Sequence, residues 1–130
     1  MINTNNLENS MELARSIFEQ GLAGEPENKD FIARHNRAIQ FNIEGDPPFF
    51  VDVRDGMINV REGELDDPDL SVVANHDIFR QVFRGKISPC EAWMDDQWWV
   101  GGAFSDYVGT SWLMRLIRFG VGCRMKQIWQ

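Results

Sequence analysis

The residues best suited to proton transfer near neutral pH are two histidines, His35 and His76. His35 stands beside Asn36 and Arg37 in a polar helical stretch and His76 at a helix start, so both read as surface residues. Glu44 and Asp52 fall on the polar side of two alternating segments. An acid/base pair there needs a pocket on the wet face of a sheet, and no feature of the sequence signals one. Asp66, Asp67 and Asp69 crowd one loop but lack the ligand spacing and closing glutamate of a calcium loop. Cys90 and Cys123 are too far apart for a C-x-x-C site and too few for a disulfide framework, so they read as reduced thiols. Glycine-rich phosphate loops, zinc spacings and G-x-S-x-G elbows are missing from the sequence. The expectation is a protein that is not an enzyme and holds no metal or cofactor; against the alternative, an enzyme acting on an apolar substrate, stands the lack of a paired acid, base or nucleophile.

What the sequence has in excess is apolar bulk: five Trp, nine Phe and six Met in 130 residues, more than a lean core requires. As a set they predict a cavity between helices and one sheet face, open to an apolar guest. The length fits a single domain over 1–130. Thirteen basic against twenty acidic residues give a net charge of −7, which argues against nucleic acid and against adsorption of the whole protein to anionic membranes. No apolar run reaches the length of a membrane span, and "MINTNNLENS" lacks the features of a secretory signal, so the location expected is cytoplasmic.

Elements must position this bulk. Asn9 caps a helix through "SMELARSIFEQGLAG", with Glu12 in the capping-box position, Leu13, Ile17 and Phe18 on one face, and Gly21 or Gly24 at its end. After the breaker-rich "GEPENKD", a short helix turns Phe31 and Ile32 inward. The period then becomes two. Ile39, Phe41 and Ile43 alternate with Gln40, Asn42 and Glu44; Phe49, Val51 and Val53 follow, and an Asp55-Gly56 turn leads into Ile58 and Val60. Leu70, Val72 and Ala74 mark a fourth strand. Asn75 caps a helix bearing Ile78, Phe79, Val82 and Phe83, and Ser88-Pro89 opens another that carries Trp93. A fifth strand spans Gln97 to Phe104. Ser105 or Thr110 caps the last helix and Gly120 stops it, leaving 1–8 flexible and 121–130 as a tail. The class is α+β.

"AIQFNIEG", "FFVDVRDG" and "DDPDLSVVANHDIFRQVFRGKISPCEAWMDDQWWVGG", in this order and spacing, resemble the sterol carrier protein type-two family of lipid-binding domains from about Ile39 to Gly102. The resemblance implies a mixed, mainly antiparallel five-stranded sheet in the order 3-2-1-4-5, helices over one face and an apolar tunnel between. It implies non-catalytic binding of fatty acids, acyl-CoAs or other lipids, or an accessory role presenting an apolar intermediate to a partner enzyme of lipid or isoprenoid-quinone metabolism. The lining expected is Phe41, Val51, Phe79, Val82, Phe83, Trp93, Trp98, Trp112, Leu113, Leu116 and Ile117. Family members alternate Lys with Leu or Ile in the last strand and end it in Gly-Asp. Here it is "QWWVGGAF" with Ala103 at that place, which implies a narrower or reshaped cavity.

Two further expectations concern surfaces. Arg115, Arg118, Arg124 and Lys126 form a stretch without acids; charge at a helix C-terminus explains them, and Arg115 and Arg118 are also the candidates for a rim that meets an anionic head group. In the fifth strand Trp98 points to the core and Trp99 away from it. Trp99 beside Val73 makes an apolar patch at the sheet edge, expected to be covered by a second copy of the chain or by "MKQIWQ" with Ile128 and Trp129.

Overall fold

The computed structural model describes residues 9–34, 36–102 and 107–128. A five-stranded sheet in the order β3-β2-β1-β4-β5 is formed by β1 (Arg37–Glu44), β2 (Phe49–Arg54), β3 (Met57–Glu62), β4 (Leu70–Asn75) and β5 (Trp98–Gly101). All neighbours are antiparallel except β1 and β4, which run parallel, with Phe41 opposite both Phe49 and Val72. The alternation in sequence places Ile39, Phe41, Ile43, Phe49, Val51, Val53, Ile58, Val60, Leu70, Val72 and Ala74 on one face, where they are buried. Asp55 and Gly56 adopt φ of 53° and 81°, the paired left-handed geometry that a two-residue hairpin turn needs.

Helix α1 (Ser10–Arg15) begins where the Asn9 carboxamide accepts from the Glu12 N–H at 2.9 Å, and it continues as a π-helical segment, Ser16–Leu22. A 3₁₀ turn, Pro26–Asn28, leads into α2 (Lys29–Ala33). Asn75 and Ser88 accept in the same way at the starts of α3 (His76–Phe83) and α4 (Pro89–Met94). Helix α5 (Tyr107–Ile128) covers the buried face together with α3 and the first helical segment.

Several expectations change. Gly120 does not stop α5, Thr110 lies inside it, and residues 121–128 are its last two turns rather than a tail. The reason is tertiary. A Cβ on Gly120 would lie 2.7 Å from Ile17 Cγ2, and one on Gly21 would lie 2.9 Å from the Gly120 carbonyl oxygen. The two glycines let two backbones touch. Gln40, expected on the wet face, is buried: its amide donates to the carbonyls of Phe49 and Gly63 at 3.0 and 3.1 Å and accepts from Leu65 N–H at 2.8 Å. The loop after β3 therefore folds over that side of β1. Strand β5 ends at Gly101, because Gly102 turns away at φ 106°. Residues 1–8, His35, Ser105 and Trp129 lie outside the described residues, as do Ala103 and Phe104.

The β3 edge is protected. The outer N–H of Val60 on β3 donates to Glu19 at 2.6 Å, and its carbonyl accepts from Arg15 at 3.3 Å. Two side chains one helical turn apart thus stand in for a sixth strand. On β5, Trp98 is buried and Trp99 is exposed opposite Val73, as the alternation predicts. The Trp99 ring lies over Gly101, so near that a Cβ there would come within 2.1 Å of it. The last turn of α5 does not reach this patch with Gln127, whose amide donates to the Gly21 carbonyl and to Glu25.

Gly21→Ala places a methyl against backbone atoms. Overpacking of about 1–3 kcal/mol outweighs the helix-propensity gain of up to about 1 kcal/mol. The urea midpoint is expected to fall; a rise would show that the two backbones are free to separate.

Candidate functional site

Ten of the eleven expected lining residues come together. Phe41, Val51, Phe79, Val82, Phe83, Trp98, Leu113, Leu116 and Ile117 are fully enclosed and Trp112 nearly so, all in one apolar cluster. Trp93 is not among them: on the short α4 it is 46% exposed. The cluster is filled by its own aromatics. Phe79 stacks on Phe83 at 4.1 Å between ring centroids, and both stack near Trp98 at 6.3 Å. These rings meet one another between the helices and the sheet face, where sequence reasoning expects a tunnel.

A groove lies on the outer side of α5. Of about 620 Å³, it is bordered by Glu25, Glu27, Asn28 and Phe31 on one wall and by Arg115, Arg118, Phe119, Gly122, Cys123 and Lys126 on the other. The α5 residues follow the spacing i, i+3, i+4, i+7, i+8, i+11, a single helical stripe. Its orientation follows from the opposite face of the helix. There Gly120 meets Ile17, and the Arg124 guanidinium donates to Ser16 Oγ at 2.9 Å and to Gln127 at 3.3 Å. The facing wall starts at Pro26, which sets the 3₁₀ turn that buries Asn28. The Asn28 amide donates to the Leu22 carbonyl at 2.9 Å and reaches Cys123 Sγ at 3.6 Å. Phe31 and Phe119 meet edge to face at 5.4 Å.

The groove therefore has an apolar floor under charged lips. Arg115, Arg118 and Lys126 form no ion pair among the described residues, and Glu25 is engaged by Gln127. Burial pushes the Cys123 thiol above its ordinary pKa, only partly opposed by the Asn28 hydrogen bond, so the sulfur is protonated at neutral pH and a poor nucleophile. Such a site can bind and orient an amphiphile. Of the residues that form it, the sequence reading placed Arg115, Arg118 and Lys126 in one acid-free stretch and named Arg115 and Arg118 as a rim. A helix stripe rich in cations, interrupted by Gly122, was the available signal for the rest.

One constellation with catalytic residue types occurs elsewhere. Asp46 Oδ2 accepts from the backbone N–H of Ser10 at 3.0 Å, from the Ser10 hydroxyl, and from His76 Nδ1 at 2.9 Å; Arg80 contacts His76 Nε2 at 3.2 Å. The hydroxyl donates to the carboxylate and not to the imidazole, so His76 is not placed to take its proton. The cluster ties the β1–β2 loop to the starts of α1 and α3. Burial alone raises the Asp46 pKa, but the Ser10 and His76 hydrogen bonds outweigh it and hold the carboxyl below the usual range. Asp69, from the acidic loop, accepts from the Ala38 N–H at 2.7 Å. No acidic, His or Cys cluster suited to a metal occurs among the described residues.

Comparison with known proteins gives a consistent picture. The family model described as the SCP-2 sterol transfer family matches residues 18–102. Among solved structures, the sterol carrier protein domain 2 of Helicoverpa armigera is 17% identical with a TM-score of 0.68, covering 88% of this chain and 91% of that one. Sterol carrier protein 2 from Yarrowia lipolytica, in its apo form, is 17% identical at a TM-score of 0.64, covering 87% and 93%. The ubiquinone synthesis protein UbiJ-SCP2 is 13% identical at 0.63, covering 92% and 96%. No curated protein matches the sequence. At these identities the structures share a fold with this chain.

A carboxylate whose folded pKa lies below the unfolded one stabilises the protein above the unfolded value, and the contribution disappears as pH falls through the folded value. Asp46→Asn is therefore expected to lower stability at neutral pH by about 1–3 kcal/mol. Against wild type, that gap should narrow below about pH 4 in urea unfolding. An equal gap at both pH values would mean that Asp46 acts by shape alone.

Proposed function

This chain belongs to the SCP-2 sterol transfer family, and from that premise we propose that it binds an amphiphilic lipid with an anionic head and carries out no reaction on it. The observation that carries this reading is the groove outside α5, where Arg115, Arg118 and Lys126 have no ion-pair partner among the described residues and stand above Phe31 and Phe119. Its volume of about 620 Å³ falls within the usual range of small-molecule sites. Burial of an alkyl chain against the floor supplies affinity at about 25 cal/mol per Å², before the costs of association. The guanidinium groups supply charge-assisted hydrogen bonds to a carboxylate or phosphate. In this reading the ten enclosed residues are the interior that a longer guest enters only when α5 moves away from the sheet.

A second reading is favoured by the near-complete mutual coverage with UbiJ-SCP2, a ubiquinone synthesis protein. In it the chain presents an apolar, quinone-like intermediate to a partner enzyme. Co-purification with such an enzyme supports it; purification alone, with fatty acid bound, supports the first.

Palmitate and the neutral alcohol hexadecanol separate the two sources of affinity. Hydrogen bonds to charged groups contribute about 1.5–3 kcal/mol each, so the double variant Arg115→Gln, Arg118→Gln is expected to weaken palmitate about tenfold or more while hexadecanol holds. The readout is calorimetric titration. Equal losses for both ligands would remove the rim from the account, and no binding of either by the wild type would sink the reading itself.

A further inference from the structure

Polar side chains buried in this molecule find partners. Gln40 makes three hydrogen bonds to the backbone, and the Asn28 amide reaches the Leu22 carbonyl and Cys123. Ser10 bonds Asp46 through both its N–H and its hydroxyl. Trp98 departs from this pattern: it is 2% exposed, yet its Nε1–H has no acceptor among the described residues. A donor stranded in a dry interior has lost its bond to water and gained nothing in return. Phenylalanine or leucine would supply apolar bulk in its place without that cost.

The surroundings define what could meet the donor. Trp98 opposes Ala74 on β4 and lies nearly parallel to Phe79 and Phe83 of α3, with interplanar angles of 4° and 19°. Those rings carry no acceptor oxygen. Helix α5 adds Leu113, Leu116 and Ile117 to the same apolar cluster. No charged side chain is buried among the described residues.

We infer that the Trp98 indole N–H is a recognition point in the interior, where it takes the carbonyl oxygen of an otherwise apolar guest, a ketone or a quinone. This deepens the part of the reading above in which a guest enters as α5 moves away from the sheet. Chemistry narrows the class in two steps. A carboxylate at this depth has no cation to meet, so the acceptor is uncharged. A hydroxyl can accept, but it brings a donor of its own into a hydrocarbon lining, whereas a carbonyl only accepts. The carboxylate of a fatty acid therefore stays outside, and the carbonyl lies along its chain.

The test titrates a set of stearates carrying a ketone at successive positions, the matching hydroxystearates and stearate itself. A ring arm compares an alkylated naphthoquinone with the alkylated naphthalene of the same chain. At one ketone position, or for the quinone, affinity is expected to exceed that of the carbonyl-free partner about tenfold, with the hydroxy acid weaker than the ketone. Whichever arm gains identifies chain or ring as the source. Trp98→Phe should abolish the preference, so that ketone and stearate bind alike. In the wild type, with no variant needed, the Trp98 Nε1–H resonance should move downfield and exchange more slowly with the carbonyl guest and not with stearate. If stearate binds but no carbonyl compound gains affinity or moves that resonance, the carbonyl site is refuted while lipid binding stands. A preference that survives in Trp98→Phe refutes it equally, since another donor then supplies it. If the wild type binds no member of either arm, the lipid reading fails and takes the carbonyl site with it.

Discussion

The backbone contact between Gly21 and Gly120 fixes most of what is distinctive in this molecule. Neither residue has a Cβ, so the π-helical segment and α5 approach until atoms of one lie against the main chain of the other. That contact sets the rotation of α5 about its own axis. With Gly120 and Arg124 turned toward Ile17 and Ser16, Leu113, Leu116 and Ile117 close over the sheet. Arg115, Arg118, Phe119 and Gly122 then face outward into the groove. One steric constraint thus decides which stripe of the helix is core and which is site.

The sheet beneath is finished by local chemistry at each edge. Arg15 and Glu19 satisfy the outward peptide groups of Val60, and Trp99 roofs Gly101 on the short β5. The first of these blocks strand addition at β3 without lengthening the chain. The interior is packed with Phe41, Phe79, Phe83 and Trp98 in mutual ring contact. Trp98 Nε1 is buried without a hydrogen-bond acceptor among the described residues, a local cost in an otherwise apolar core.

Sequence alone revealed the features governed by near neighbours. Period-two alternation gave the strands and separated Trp98 from Trp99; Asn9, Asn75 and Ser88 announced helix starts; Asp55-Gly56 announced the hairpin. It misread features decided at long range. Gly120 looks like a helix stop because glycine commonly is one, and only the approach of Ile17 explains it inside α5. Gln40 looks solvated until the loop at Gly63 and Leu65 arrives to satisfy its amide. Trp93 looks internal by type but sits on a helix too short to bury it. Of the groove, the cations were legible as an acid-free stretch. Its opposite wall at Glu25 to Phe31 was not, since it faces α5 only through the fold.

The central claim is that the outer face of α5 holds the lipid. Stearate carrying a nitroxide on its alkyl chain, added to isotopically labelled protein, tests it through paramagnetic broadening of backbone amide signals. The account predicts selective loss of signal at Phe31, Phe119 and Gly122, with the amides of β2 and β3 little affected. Broadening centred on strand residues such as Val51 and Val60, with Phe119 and Gly122 unchanged, would contradict it.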